Sequence, residues 1–273
     1  MTSTTQQLCS YGNIGLRIAG QGEPLILLHG VGMQSAAWEP QLQALQQDYK
    51  VYAIDMPGHG QSTTLPTAAR LPEYIAWLDA VMDSLQLNQV NLAGHSMGAL
   101  IASGYAVTYP HRIKRVALIN SVFNRTPDAR QAVTARAAAI RQGEINITGP
   151  LARWFHNTPD QETARHKVAQ WLQSVNPQGY ATAYTAFAEG DGIYSKDFQH
   201  ITCPLLAITG SDDPNSTPAM SQAIARQVSN GEAVIINGHR HMINITAPER
   251  VNAELTRWLQ RPINVTNNHG DHP

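Results

Sequence analysis

Cysteine is nearly absent: the 273 residues hold two, Cys9 and Cys203, too far apart in the chain to form a metal-ligand cluster by themselves. Charge is sparse and balanced, 14% of residues, with 19 Lys and Arg against 20 Asp and Glu. That balance removes any global electrostatic case for nucleic-acid binding. No run approaches the roughly 20 apolar residues that cross a bilayer. The longest, Pro24-Leu25-Ile26-Leu27-Leu28, is the length of a strand. The first residues lack the basic and apolar regions of a signal peptide. Two lone thiols and no leader lead us to expect a cytoplasmic protein that binds neither membrane nor nucleic acid. Repeats and low-complexity tracts are also missing. Apolar material is what the chain does have, 42% of residues, which argues against disorder and can fill a large core.

Short apolar runs alternate with helical patterns. The runs fall at 25–29, 51–55, 90–94, 115–120, 205–210 and 233–237, and their near-continuous apolar character suits parallel strands covered on both faces. Candidate helices lie between them at 35–47, 72–87, 97–109 and 217–228. In the second, Tyr74, Trp77, Leu78, Val81, Met82 and Leu85 make one apolar face. This alternation predicts a doubly wound, mostly parallel α/β sheet. The rhythm breaks over 121–201, where helix-like segments are punctuated by Pro127, Gly149-Pro150, Pro159 and Pro177. So long a stretch is too large for a plain loop and reads as a helical cap inserted into a core made of 1–120 and 202–263. The first 20 residues suggest an antiparallel hairpin turning near Gly12-Asn13, and 264–273 a flexible tail.

Gly94-His95-Ser96-Met97-Gly98 directly follows one predicted strand and opens a helix. Glycines around the serine permit a cramped strand-to-helix bend that lifts the hydroxyl out of the sheet. The helix N-terminus offers free N–H groups to an anion forming beside it. The pentapeptide alone is weak, so the rest of a catalytic set must be found. The Met97 N–H is one candidate oxyanion donor; the other is the Val31 N–H in His29-Gly30-Val31-Gly32, just after an early strand. A serine also needs a base and an orienting carboxylate, in the chain order Ser, acid, His, on loops after late strands. Ser211-Asp212-Asp213-Pro214 and Gly238-His239-Arg240-His241 occupy those places. Asp213, held extended before a proline, is favoured over Asp212 as the acid, and His241 over His239 as the base.

With these residues the chain resembles the α/β-hydrolase superfamily over nearly its full length apart from the cap. Asp55-Met56-Pro57-Gly58-His59-Gly60-Gln61-Ser62 is similar to that family's D-x-P-G-x-G-x-S turn, whose role is mainly structural. Within the superfamily the resemblance is strongest to β-ketoadipate enol-lactone hydrolases. It rests on Asn176-Pro177-Gln178-Gly179-Tyr180-Ala181, Asp197-Phe198, Ile201-Thr202-Cys203-Pro204 and Asn244. Amide and carbamate hydrolases of pyrimidine breakdown share much of that pattern. Two positions depart from it: Arg240 stands where a small residue is usual, and Thr246 where many relatives carry an acid. Serine at 96, where dehalogenases and epoxide hydrolases carry aspartate, argues against those activities. The resemblance implies no cofactor and no metal.

The expected activity is therefore a serine hydrolase of a small ester or lactone, best an enol-lactone, with Ser96 as nucleophile, His241 as base and Asp213 as its orienter. Amide, carbamate or thioester cleavage would use the same triad, and a ligand-sensing receptor on the same fold is the reading from another class. The expected partner is a small-molecule substrate; oligomeric state stays open. Gly30, His95, Trp154 and Tyr184 are the expected pocket residues. Trp154, Phe155, Trp171, Tyr184 and Phe187 are expected to make a small core within the cap, one or two of them roofing the pocket. Arg125, Arg130, Arg136 and Arg141, against one acid, Asp128, read first as a solvated helix face. The sharper reading is that one of them receives a substrate carboxylate.

Overall fold

A computed structural model describes residues 4–8 and 10–263. Cys9 and the tail expected over 264–273 lie outside the described residues. Eight strands form one sheet in the order β1-β2-β4-β3-β5-β6-β7-β8. They are β1 (Thr4–Leu8), β2 (Gly12–Ala19), β3 (Glu23–Leu28), β4 (Tyr49–Ile54), β5 (Val90–His95), β6 (Ile113–Ile119), β7 (Leu205–Gly210) and β8 (Gly231–Ile236). β1 and β2 form the expected hairpin, and β2 runs antiparallel to β4. From β4 to β8 every pairing is parallel.

The period-two geometry of a strand splits each apolar run between two layers. Leu25, Leu27, Val51, Ala53, Ile119, Leu206 and Ile208 join one core, closed by Trp38, α1 (Glu39–Leu45) and α10 (Pro248–Leu259). Ile26, Leu28, Ile54, Leu92, Val116, Leu118 and Ala207 join the other. It is covered by α2 (Leu71–Ser84), α3 (Met97–Thr108) and α8 (Pro218–Gln227). Burial on both faces is why these strands read as continuous apolar runs. The helix expected at 35–47 is divided: a 3-10 turn, Ser35–Trp38, precedes α1. The break falls at Trp38, whose φ of -99° and ψ of 8° leave helical geometry, and Pro40 sits in the first turn of α1, where its missing N–H breaks no intrahelical bond.

Between β6 and β7 lie α4 (Pro127–Arg141), α5 (Thr148–Trp154), α6 (Pro159–Ser174) and α7 (Pro177–Gly190), then a 3-10 turn, Ser195–His200. The aromatic residues there do not form a separate core. Phe155, Tyr180 and Tyr184 are continuous with the α2/α3 core, while Trp154, Trp171 and Phe187 are only partly buried against it. α7 packs on α2 and α3 and bears α4, so the buried side chains of these helices run into the core beneath rather than enclosing one of their own. The cap is seated by glycine: a Cβ on Gly179, in the first turn of α7, would collide with the Gly58 backbone in the turn after β4. Neither chain segment can yield as a flexible side chain could. Gly179→Ala is therefore expected to cost about 1–3 kcal/mol despite alanine's better helix propensity, a drop in Tm of about 3–10 °C in thermal unfolding. An unchanged Tm would show that this seat gives way.

A short helix, α9 (Ile243–Thr246), precedes α10. Among the described residues no helix is long and apolar enough to cross a membrane.

Candidate active site

The sheet delivers its chemistry at the C-terminal ends of β3, β5, β7 and β8. Ser96 follows β5 with φ 54° and ψ -112° and caps α3. A Cβ on Gly98 would stand against the Leu28 carbonyl, so the helix can start this close to β3 only with glycine there. A Cβ on Gly30 would lie 3.1 Å from the Ser96 Cβ, which puts the loop after β3 beside the serine. The amides of Val31 and Met97 donate to no backbone carbonyl among the described residues. Both are free for a developing oxyanion, as such donors must be.

Buried histidines hold that loop. His29 Nε2 accepts the Met56 N–H at 2.9 Å, and His59 Nε2 accepts the Gly32 N–H at 2.9 Å. Each ring therefore carries its proton on Nδ1, donated to the Gly30 and Pro57 carbonyls. Burial drives His29 to about 4 and His59 to about 3, so both stay neutral. Asp55 ties the same loops together, accepting the Ser35 N–H at 2.6 Å and the Gln61 N–H at 3.1 Å.

His241 Nδ1 donates to Asp213 Oδ2 at 2.7 Å, and both side chains are buried. Burial alone would raise the Asp213 pKa. The His241 charge and hydrogen bond, followed by the Asn215 N–H and the Asn120 amide, outweigh burial and hold the carboxyl below its ordinary value. With Nδ1 committed to the Asp213 carboxylate, a neutral His241 ring would carry its lone pair on Nε2, the form a general base needs. Asp212 is engaged elsewhere, accepting from Ser211 Oγ at 2.7 Å and pairing with His156 at 3.1 Å. His239 Nδ1 lies 3.0 Å from Thr246 Oγ1, away from Asp213.

Ser96 and His241 open onto one cavity of about 420 Å3, also lined by Val31, Trp154, Tyr184 and Phe187. That volume suits a small organic molecule. Trp154 stacks on the His241 ring at 5.7 Å. Gly30 and His95, expected at the pocket, are not among its lining residues. His95 is instead buried, and its Nε2 donates to the His241 carbonyl at 2.8 Å. Burial first, and then the His241 charge, drive its pKa to about 3. It buttresses the loop that carries His241.

The four arginines divide: Arg130 and Arg141 are exposed, as a solvated face would have them, whereas Arg125 and Arg136 turn inward. Arg125 is buried, paired with Asp191 at 3.1 Å and stacked 4.3 Å over Phe187. Arg130 shares Asp191 at 3.3 Å, and Arg141 borders a different depression. Arg136 lines the cavity and donates to Tyr184 Oη at 3.0 Å. Arg153, which the sequence reading missed, lines it too, and its buried Nε has no hydrogen-bond partner. Burial, then the neighbouring Arg136 charge, pull the Arg153 pKa down from its ordinary value. Among the described residues three arginines and no acid line the cavity, and of the three only Arg125 pairs with a carboxylate, Asp191.

Residues 23–248 match the family model of the alpha/beta hydrolase fold. The chain belongs to that family. It is 47% identical over 260 residues to an (E)-2-((N-methylformamido)methylene)succinate hydrolase of Acinetobacter baylyi, covering 95% of this chain and 99% of that one. It is 30% identical over 243 residues to a 3-oxoadipate enol-lactonase of the same organism, covering 87% and 88%. The crystal structure of an E-2-(acetamidomethylene)succinate hydrolase superposes with a TM-score of 0.78 at 21% identity, covering 95% of this chain and 99% of that one. At that identity the likeness speaks to the fold alone. The protein is an α/β-fold hydrolase.

Proposed function

We propose that this hydrolase cleaves the acyl–nitrogen bond of a small N-acyl enamine carrying two carboxylates, through Ser96, His241 and Asp213. The observation that carries the reading is the pair Arg136 and Arg153 in the cavity that Ser96 lines, two cations that have no carboxylate partner, and no acidic lining residue beside them, among the described residues. Like charges brought together and partly desolvated are unfavourable until an anion sits between them. The 47% identical relative is named for such a substrate, a succinate bearing an N-acylated aminomethylene group.

In this reading Ser96 Oγ attacks the acyl carbon while His241 Nε2 takes its proton, and the Val31 and Met97 amides hold the oxyanion. The C–N bond then breaks as His241 returns the proton to nitrogen. Water, deprotonated by His241, releases the acid from Ser96. The leaving enamine is stabilised by conjugation with its carbon–carbon double bond. An enol-lactone has the same logic with oxygen in place of nitrogen, so lactone cleavage, favoured by the sequence reading and by the 30% identical relative, is the second reading.

A substrate panel separates them. An (acylaminomethylene)succinate, its dimethyl ester and an enol-lactone are compared in wild type, Arg136→Met and Arg153→Met. A hydrogen bond to a charged group is worth about 1.5–3 kcal/mol, so each variant should raise KM for the dicarboxylate about 10- to 150-fold and leave the diester unaffected. Equal turnover of dicarboxylate and diester, with KM indifferent to both arginines, would sink the proposal.

A further inference from the structure

Asp213 carries more than the histidine. Its Oδ1 accepts the Asn215 N–H at 2.8 Å. Its Oδ2, the oxygen bonded to His241, also accepts from Asn120 Nδ2 at 2.8 Å. Asn120 is 93 positions away, immediately after β6. We propose that Asn120 is a positioning residue for the reaction, fixing the Asp213 carboxylate so that one oxygen faces His241.

Asn120 is fully buried and sits at φ 49°, a region that Asn tolerates better than most side chains. Its backbone N–H donates to the Ile208 carbonyl at 2.8 Å, locking it to β7. Its amide also donates to Thr209 Oγ1 at 3.0 Å. Thr209 Oγ1 donates to the Ser216 carbonyl at 2.7 Å, and Ser216 Oγ donates to the Asn120 carbonyl at 2.6 Å. The ring closes on itself, with Asp213 between Thr209 and Ser216 in the chain. The amide oxygen, by contrast, is buried with no hydrogen-bond partner. An orphaned acceptor is unfavourable, and buried polar groups are otherwise satisfied. What the asparagine supplies in return is a donor that reaches a carboxylate.

Two donors on Oδ2 make a fork: the Asn120 amide from one side and the His241 ring from the other. Without the amide, the carboxylate keeps the Asn215 N–H on Oδ1 but only the mobile imidazole on Oδ2, and it can pivot about the Oδ1 contact. The imidazole then loses its fixed direction toward Ser96, which lowers turnover without touching the substrate.

This rests on the triad reading, and the test keeps the two apart. Asn120→Gly removes the amide and accepts the positive φ; Asn120→Asp keeps the shape but faces Asp213 with a second carboxylate. Each should lower kcat about 10- to 100-fold with KM within about threefold, Asn120→Asp more than Asn120→Gly. Turnover is expressed per active site, titrated with a fluorophosphonate, so misfolded protein is not counted. In an Asp213→Asn background the Asn120→Gly loss should shrink to threefold or less, because the residue acts through Asp213. The downfield proton resonance of the His241 Nδ1–H should also move in Asn120→Gly. An equal loss in both backgrounds, or an unmoved resonance, overturns the positioning role. Full activity in Asp213→Asn alone would instead overturn the triad reading.

Discussion

Replacing Ser96 with alanine is expected to lower kcat by on the order of 10^5- to 10^6-fold, the size seen when a triad nucleophile is removed. That corresponds to about 7–8 kcal/mol of transition-state stabilisation. The variant should fold, because Ser96 makes no side-chain cap for α3 and the backbone at φ 54° is held by glycine packing and the Ser96 N–H bond to the Ile119 carbonyl. Binding should survive as well, since Arg136, Arg153 and Tyr184 line the cavity independently of the hydroxyl. The variant therefore becomes a trap whose dissociation constant for the dicarboxylate can be measured by calorimetry. Residual turnover above the uncatalysed rate would come from the Val31 and Met97 amides and from positioning. Wild-type hydrolysis in Ser96→Ala would remove the nucleophile assignment altogether. The wild-type enzyme also decides against the ligand-sensing reading if it turns over many equivalents without a lasting adduct; one slow turnover would favour it.

Much of this architecture is legible in the chain because both sheet faces are buried. A run such as 205–210 has no polar residue before Thr209, and β7 (Leu205–Gly210) begins and ends where that run does. Strand ends are less legible. Tyr49, Lys50, Gly231 and Glu232 pair in the ladder through backbone groups that no apolar pattern announces. The elbow, Asp213 and His241 can be picked out because each follows a readable strand. The cap arginines cannot be sorted in the same way. What distinguishes Arg125 from Arg136 is Asp191, 66 positions from Arg125 and bonded to its backbone N–H at 2.7 Å. Arg153 hides on a seven-residue helix too short for periodicity to give it a face. Asn120 looks like any asparagine ending a strand, and only folding brings it to Asp213.

That same carboxylate gives the second large effect. Asp213→Asn is expected to lower kcat about 10^4-fold, against a change of threefold or less for Asp212→Asn. Both oxygens of Asp213 face donors, the Asn215 N–H on one side and Asn120 with His241 on the other. An asparagine must point its amide nitrogen at one of these sides. Turned toward Asn215, it keeps an acceptor for His241 but removes the negative charge that stabilises the imidazolium as the serine proton arrives. Turned toward His241, it donates to Nδ1, forces the ring proton onto Nε2 and leaves Ser96 without a base. Either outcome costs turnover, by different routes. Asp212 is exposed, and its partners are Ser211 and His156, so its charge is screened and its loss is felt little at Ser96. Measuring kcat for both variants beside their thermal unfolding settles the comparison. A severe Asp212→Asn with an active Asp213→Asn would move the acid one residue along the turn; two mild variants would place it elsewhere in the chain.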